Sequence, residues 1–283
     1  MKRLILFSII LTVLTSCKKN DSLPSDKIID LGGERWVRTE IDNIIYNDFI
    51  KTYNIEVKYK WSPFEINFNR TLVPPMEFQV EPVLSAIKKI WMEPYEKIGG
   101  KDFLKKHPIT KFVLVGSPEF QNTGGIVLGS AEGGTRINIY NVNNFFIRNQ
   151  ESVKQMLHTI HHEYVHILHQ TIHYPQEWRG LSTKWYTETW FNTPEFIAQT
   201  EGLVSSYAKS SEREDFAETV TFLLIKGQEE YNKLISSNPD VAHIYKSKQS
   251  IIENYFKNAF NVDFKTFQFE VQNAIKNITQ IKQ

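Results

Sequence analysis

The chain has 283 residues, with 33 lysines and arginines against 32 aspartates and glutamates, 41% apolar residues and one cysteine. A near-neutral balance without a basic stripe excludes nucleic acid as a partner, and the single cysteine excludes an internal disulfide. The apolar content and the low Gly and Pro counts exclude a low-complexity chain and support a packed core.

Met1-Lys2-Arg3 precedes an apolar run from Leu4 to Leu14 that ends at Leu14-Thr15-Ser16-Cys17. A basic start, a short apolar core and small residues before a cut predict a secretory signal over 1–16, too short for a permanent span. The ending resembles the bacterial lipobox, which makes the lone Cys17 the lipidation site. Residues 17–32 then form the lipidated cysteine and a flexible tether, polar from Lys18 to Asp26. Loss of Lys2 and Arg3 takes the formal charge from +1 to about −1. These features imply a lipid-anchored protein of the cell envelope, with the outer membrane as first choice and the side it faces left open.

Ile55, Val57, Tyr59 and Trp61 alternate as in a half-buried strand. Val80, Val83, Leu84, Ile87, Ile90 and Trp91 follow helical spacing, with Pro82 suited to the first turn and Pro94 following the end. Phe112 to Val115 is a short buried strand, and Gly124 to Tyr140 reads as two strands around a glycine turn. If the strand just before the next helix lies at a sheet edge, it can pair with an extended peptide; the alternative is an ordinary hairpin. Beyond Pro175 the pattern is mostly helical, with late helices marked by Ile251, Ile252, Tyr255 and Phe256 and by Phe264, Phe267, Val271 and Ile278.

The expected fold class is α+β: a small mixed sheet lying on a helix that carries H-E-x-x-H, with a mostly helical C-terminal lobe. The predicted domain covers 33–283, with an upper α/β lobe at about 33–173 and a helical lower lobe at about 174–283. Trp178, Trp185, Tyr186 and Trp190 either pack between the lobes or line a substrate pocket.

His162-Glu163-Tyr164-Val165-His166 is the informative motif. Residues four apart on a helix share a face, so both imidazoles can hold one zinc ion and Glu163 can act as general base on water there. The segment holds six histidines, which permits the bland alternative of a solvated histidine face. At about 100° per residue, His158, His162, His166, His169 and His173 fall within an arc of about 80°. Met156, Leu157, Ile160, Tyr164, Val165, Ile167, Leu168 and Ile172 occupy the other side, so the helix is expected to run through the core with its histidine stripe facing a cleft. Of the pairs His158/His162, His162/His166 and His169/His173, only the second has a carboxylate directly after its first member. His158 and His169 are expected behind or beside the metal, and His161 is expected to be structural.

A catalytic zinc site usually needs a third protein ligand. The metzincin pattern would require Gly at 169 and His at 172, where this chain has His169 and Ile172. A later glutamate is the remaining common choice. Glu214 and Glu218 lie on one side of a predicted helix, so one can bind metal while the other fixes a histidine ligand. Glu195 and Glu218 rival Glu214 as ligand, and Ser211-x-x-Glu214 is also a capping box in which the glutamate only closes the helix end.

The run from Ser206 to Glu218, placed after His162-Glu163-x-x-His166, resembles the lethal-factor-like, gluzincin-type zinc metallopeptidases. In that family a tyrosine stands seven residues before the ligand glutamate, as Tyr207 stands before Glu214. The resemblance extends from about Thr135 to the C-terminus. It implies His162, His166 and Glu214 as ligands of one Zn2+, Glu163 as general base, and Tyr207 as the group that stabilises the oxyanion or protonates the leaving amine. The whole architecture also resembles the zinc-metallopeptidase lipoproteins encoded beside TonB-dependent nutrient importers. A peptide or protein substrate, a membrane and such an importer are therefore the expected partners. A competing function is a weak or inactive lipoprotein that captures peptide or glycan for an importer, and another is a histidine-rich metal scavenger. Glu163 and Tyr207 count against the first, and the one carboxylate beside one histidine pair counts against the second.

Overall fold

A computed structural model describes residues 37–66, 69–120, 126–127, 129–132 and 135–280. The signal segment, Cys17 and the tether lie outside the described residues. Among the described residues no helix is long and apolar enough to cross a membrane.

The architecture is mixed α+β and mostly helical, with a small mixed sheet. Helix α1 (Glu40–Ile45), capped by Thr39 and continued by a π-helical turn, leads to strand β1 (Glu56–Lys58). The alternation seen in the sequence holds from Ile55 to Tyr59, with Ile55, Val57 and Tyr59 buried and Glu56 and Lys58 half-buried between them, whereas Trp61 is exposed. Helix α2 (Glu77–Ala86) continues through a π-helical segment, Ile87–Met92, and a further turn, Glu93–Gly99. Both proline expectations are corrected here. Pro82 lies inside the helix rather than in its first turn, because the helix starts at Glu77. Pro94 does not end it. The preceding backbone has widened so that the Glu93 N–H reaches the Lys88 carbonyl, and Pro94 takes the start of the next turn, where its missing donor costs little.

After short α3 (Phe103–Lys106) come β2 (Lys111–Leu114), β3 (Glu119–Phe120), β4 (Ile126–Val127), β5 (Gly129–Glu132) and β6 (Arg136–Ile139). The four-stranded sheet has the order β1-β2-β6-β5, with β1, β2 and β6 parallel and β5 antiparallel to β6; β3 and β4 pair separately. The strand before the long helix, β6, is therefore interior. Its antiparallel partner β5 forms the edge. Both strands contact helix α4 (Gln150–Thr171). The approach is close at β5: a Cβ on Gly129 would stand 1.9 Å from the Thr159 methyl.

Helix α4 starts at Asn149, whose side chain accepts from the Glu151 and Ser152 amides. One face is fixed by aromatic packing: the Tyr164 ring meets Trp91 and Tyr95 edge-on, each at 4.9 Å, and its hydroxyl donates to the His107 carbonyl. His161 is fully buried on that face, 5.8 Å from Tyr95. The helix stops at Thr171, so His173 lies beyond it and the His169/His173 pair is not a helical pair. Pro175, which disfavours helix in the residue before it, follows closely.

The remainder is helical: short α5 (Arg179–Ser182) and α6 (Glu195–Thr200), then α7 (Glu212–Ile225), α8 (Gly227–Ser237), α9 (Ala242–Phe260) and α10 (Phe264–Gln280). Helix α7 packs along α4, and α10 supports both. One main core runs from β1 through α2, α4 and α7 to α10.

Candidate metal centre

Successive turns of α4 present His158, His162 and His166 on one side, and α7 presents Glu214 and Glu218 to them. Glu214 Oε2 lies 2.9 Å from His162 Nε2 and 3.1 Å from His166 Nε2, and the two Nε2 atoms are 3.1 Å apart. Ligands bound at about 2.0–2.1 Å to one tetrahedral zinc stand about 3.3 Å from each other. The donor triangle fits that ion after opening by a few tenths of an ångström. Two imidazoles and a carboxylate are also the right chemistry for zinc.

The backbone amide of Glu214 donates to Ser211 Oγ, which caps α7. The Glu214 carboxylate does not close a capping box; it turns to the histidines instead. Glu195, the other rival, starts α6 and is exposed.

Glu218 occupies the next turn of α7 and is buried. Its Oε1 lies 2.8 Å from His162 Nδ1 and 2.8 Å from His158 Nε2, and its Oε2 accepts from Ser205 Oγ at 2.6 Å. On the other side, His166 Nδ1 contacts His169 Nε2 at 2.8 Å. Each candidate ligand ring thus has a polar group 2.8 Å behind it, placed to hold its orientation. His158, His162 and Glu218 form a second cluster of donors, but it uses the opposite nitrogen of the same His162.

Burial opposes charge on His162, but Glu214 and Glu218 outweigh it and hold the pKa up to about 10. The same histidines hold Glu214 well below the usual carboxylate range despite its burial. The centre is thus an anionic pocket that stabilises positive charge. Burial, and then neighbouring His166, push His169 down to about 4, so its ring is neutral and its Nε2 can accept a hydrogen bond from the His166 Nδ1–H.

Glu163 follows His162 on α4 and is partly exposed. Its negative charge acts on both His162 and Tyr207. The Tyr207 ring lies 5.7 Å from the His162 ring, and burial, then Glu214 and Glu163, push its phenol pKa up. The structure therefore gathers His162, Glu163, His166, Tyr207, Glu214 and Glu218 into one locality. Of the intervening aromatics, Trp178 is fully buried against Phe216. Trp185 and Tyr186 pack on the main core, and Trp190 stands 4.9 Å from Tyr207.

Sequence reasoning missed the support beneath α7. Asp215 and Lys248 are both fully buried, with Lys248 Nζ 2.7 Å from the Asp215 carboxylate and 2.9 Å from the Gly202 carbonyl. Tyr186 and Thr219 also donate to Asp215. A signal was present: Tyr245, Lys248, Ile252 and Tyr255 share one helical stripe, which places a lysine where an apolar residue belongs. Ser205, behind Glu218, gave no such signal.

No curated protein matches the chain. A solved structure from Bacteroides caccae superimposes with a TM-score of 0.73 at 24% identity, covering 87% of this chain and 97% of that one. At that identity it shows a shared fold. Residues 34–265 match the model of a family described as "putative zinc-binding metallo-peptidase", the same description carried by the Bacteroides caccae protein. With zinc as the cofactor of that family and a donor set here that fits it, the chain belongs to this zinc-binding metallo-peptidase family.

Proposed function

We propose that the protein is a zinc-dependent peptidase in which His162, His166 and Glu214 hold the metal. The observation that carries this is the meeting of three donor atoms, from two turns of α4 and one of α7, within 3.1 Å of one another. Glu218 and His169 orient the two rings. Zinc in this set supplies Lewis acidity toward a carbonyl and toward water. Glu163 takes a proton from the attacking water as its oxygen bonds to the carbonyl carbon, and delivers it to the amine nitrogen as the C–N bond breaks. Tyr207 donates a hydrogen bond to the oxygen on which negative charge develops. The spacing of Tyr207 and Glu214 supports a lethal-factor-like, gluzincin-type site on a zincin-like fold, with the sheet over the H-E-x-x-H helix. The edge position of β5 against α4 supports an extended peptide or protein substrate.

The signal-like segment and Cys17 support a lipid-anchored protein of the cell envelope, with the outer membrane as first choice, and the resemblance to lipoproteins encoded beside TonB-dependent nutrient importers supports such an importer as a partner. The hydrolytic reading is tested by metal analysis and turnover of a peptide library. About one zinc per chain is expected, lost in His166→Ala. Glu163→Gln should keep the zinc and lose about 10²–10⁴-fold in turnover. Full turnover by Glu163→Gln overturns the mechanism. Several zinc ions per chain, only partly lost in His166→Ala, identify a scavenger.

A further inference from the structure

The aromatic side chains beside the metal centre divide into two sets. Trp178, Trp185 and Tyr186 belong to the main core or pack on it, whereas Trp190 and Phe191 are not among the residues packed there. Trp190 extends a chain of rings outward from the metal site: His162 to Tyr207 at 5.7 Å, Tyr207 to Trp190 at 4.9 Å, and Trp190 to Phe191 at 5.9 Å. The chain of rings leads from the interior to solvent: His162 is buried, Trp190 is half-buried, and Tyr207 and Phe191 are 39% and 56% exposed. One exposed aromatic is ordinary. A contiguous apolar run that begins at a candidate catalytic centre and ends in water marks a binding surface.

Ring geometry selects the occupant. Trp190 meets Tyr207 at 69° and Phe191 at 82°. Near-perpendicular rings turn their faces in different directions, rather than lying side by side as the flat platform on which a sugar ring stacks. A planar or branched apolar side chain placed there can meet one ring face-on and another edge-on, the favoured aromatic geometries. We propose that Trp190 and Phe191 form a specificity subsite that takes a bulky apolar side chain, aromatic above all, from the residue flanking the cleaved bond. This rests on the peptidase reading and names the class of side chain that it accepts.

The test compares two peptide hydroxamates, one with Phe and one with Ala at the residue bearing the hydroxamate, binding to zinc-loaded protein in parallel with cleavage of the matching Phe and Ala peptides. Burying a phenylalanyl side chain predicts a preference of roughly ten- to a hundred-fold for Phe. Trp190→Ala and Phe191→Ala should each shrink that Phe-to-Ala ratio at least several-fold. Zinc content and circular dichroism confirm that each variant is folded. A ratio near one in the wild type, absent hydroxamate binding, or a ratio unmoved in both variants overturns the subsite, even if peptides are cleaved. A glycan that binds with loss on Trp190→Ala while Phe and Ala stay equal overturns it in favour of sugar stacking. If no peptide is cleaved but the Phe preference and its loss persist, the subsite stands and the hydrolytic reading fails.

Discussion

His162 and Glu218 are joined back to back with the metal centre: the Nδ1 of the histidine lies 2.8 Å from the glutamate Oε1, while its Nε2 faces Glu214 one turn earlier on α7. A single helix thus grips both nitrogens of one ring. Removing the rear partner frees the ring to rotate and lowers its basicity. Glu218→Ala should weaken zinc binding by about 10–100-fold, read by competition against a chromophoric chelator. Unchanged affinity would show that Glu218 serves only His158 and Ser205.

Tyr207 stands over the His162 ring with its phenol held protonated by burial and by the nearby carboxylates. A protonated phenol can donate where negative charge develops. Tyr207→Phe should lower kcat by about 10²–10³ while leaving KM and zinc content close to wild type. A fall in stability with kcat intact would assign the ring to packing.

The Asp215–Lys248 pair sits directly behind the helix turn that carries Glu214, and both side chains are fully buried. Burial pushes Asp215 up and Lys248 down, and their contact opposes both shifts. Lys248→Met strands a buried carboxylate and should cost about 3–5 kcal/mol in urea unfolding. Lys248→Met with Asp215→Leu removes both charges and should be less destabilised than Lys248→Met alone. Equal losses would show that packing, not the charge, sets the cost.

His161 gives a pH dependence independent of the metal. Burial, followed by repulsion from His158, pushes its pKa down to about 3 in the folded protein, against about 6.5 in the unfolded chain. Between those values the unfolded state binds the extra proton. The contribution is therefore complete above pH 6.5 and is lost as pH falls toward 3, at up to about 1.4 kcal/mol per pH unit. Chelator-treated protein should show this slope in unfolding free energy between pH 6 and 4. His161→Phe, which keeps a ring against Tyr95 and Phe267, should reduce it to the share that His169 contributes. An unchanged slope would place the titration elsewhere.

Some elements were legible from local spacing because helix periodicity is a short-range property. The His158, His162, His166 stripe and the late apolar faces of α9 and α10 follow from residues three and four apart. The helix limits were less legible: α2 absorbs Pro82 and passes Pro94 through a widened turn, and α4 ends before His173. Such ends depend on how neighbouring backbone satisfies or releases hydrogen bonds.

By itself, the sequence determined that two imidazoles share one helix face with a carboxylate beside the first of them, since four-residue spacing fixes the common face of His162 and His166. Only the tertiary structure decided which distant acid meets them. Glu195, Glu214 and Glu218 were all eligible by type, and α7 packs along α4 so that Glu214 faces the Nε2 atoms while Glu218 passes behind. It also decided that β6 lies inside the sheet and β5 at its edge, and that Lys248 is buried against Asp215. These relations join residues dozens of positions apart, and the packing that brings them together depends on the whole core rather than on any local pattern.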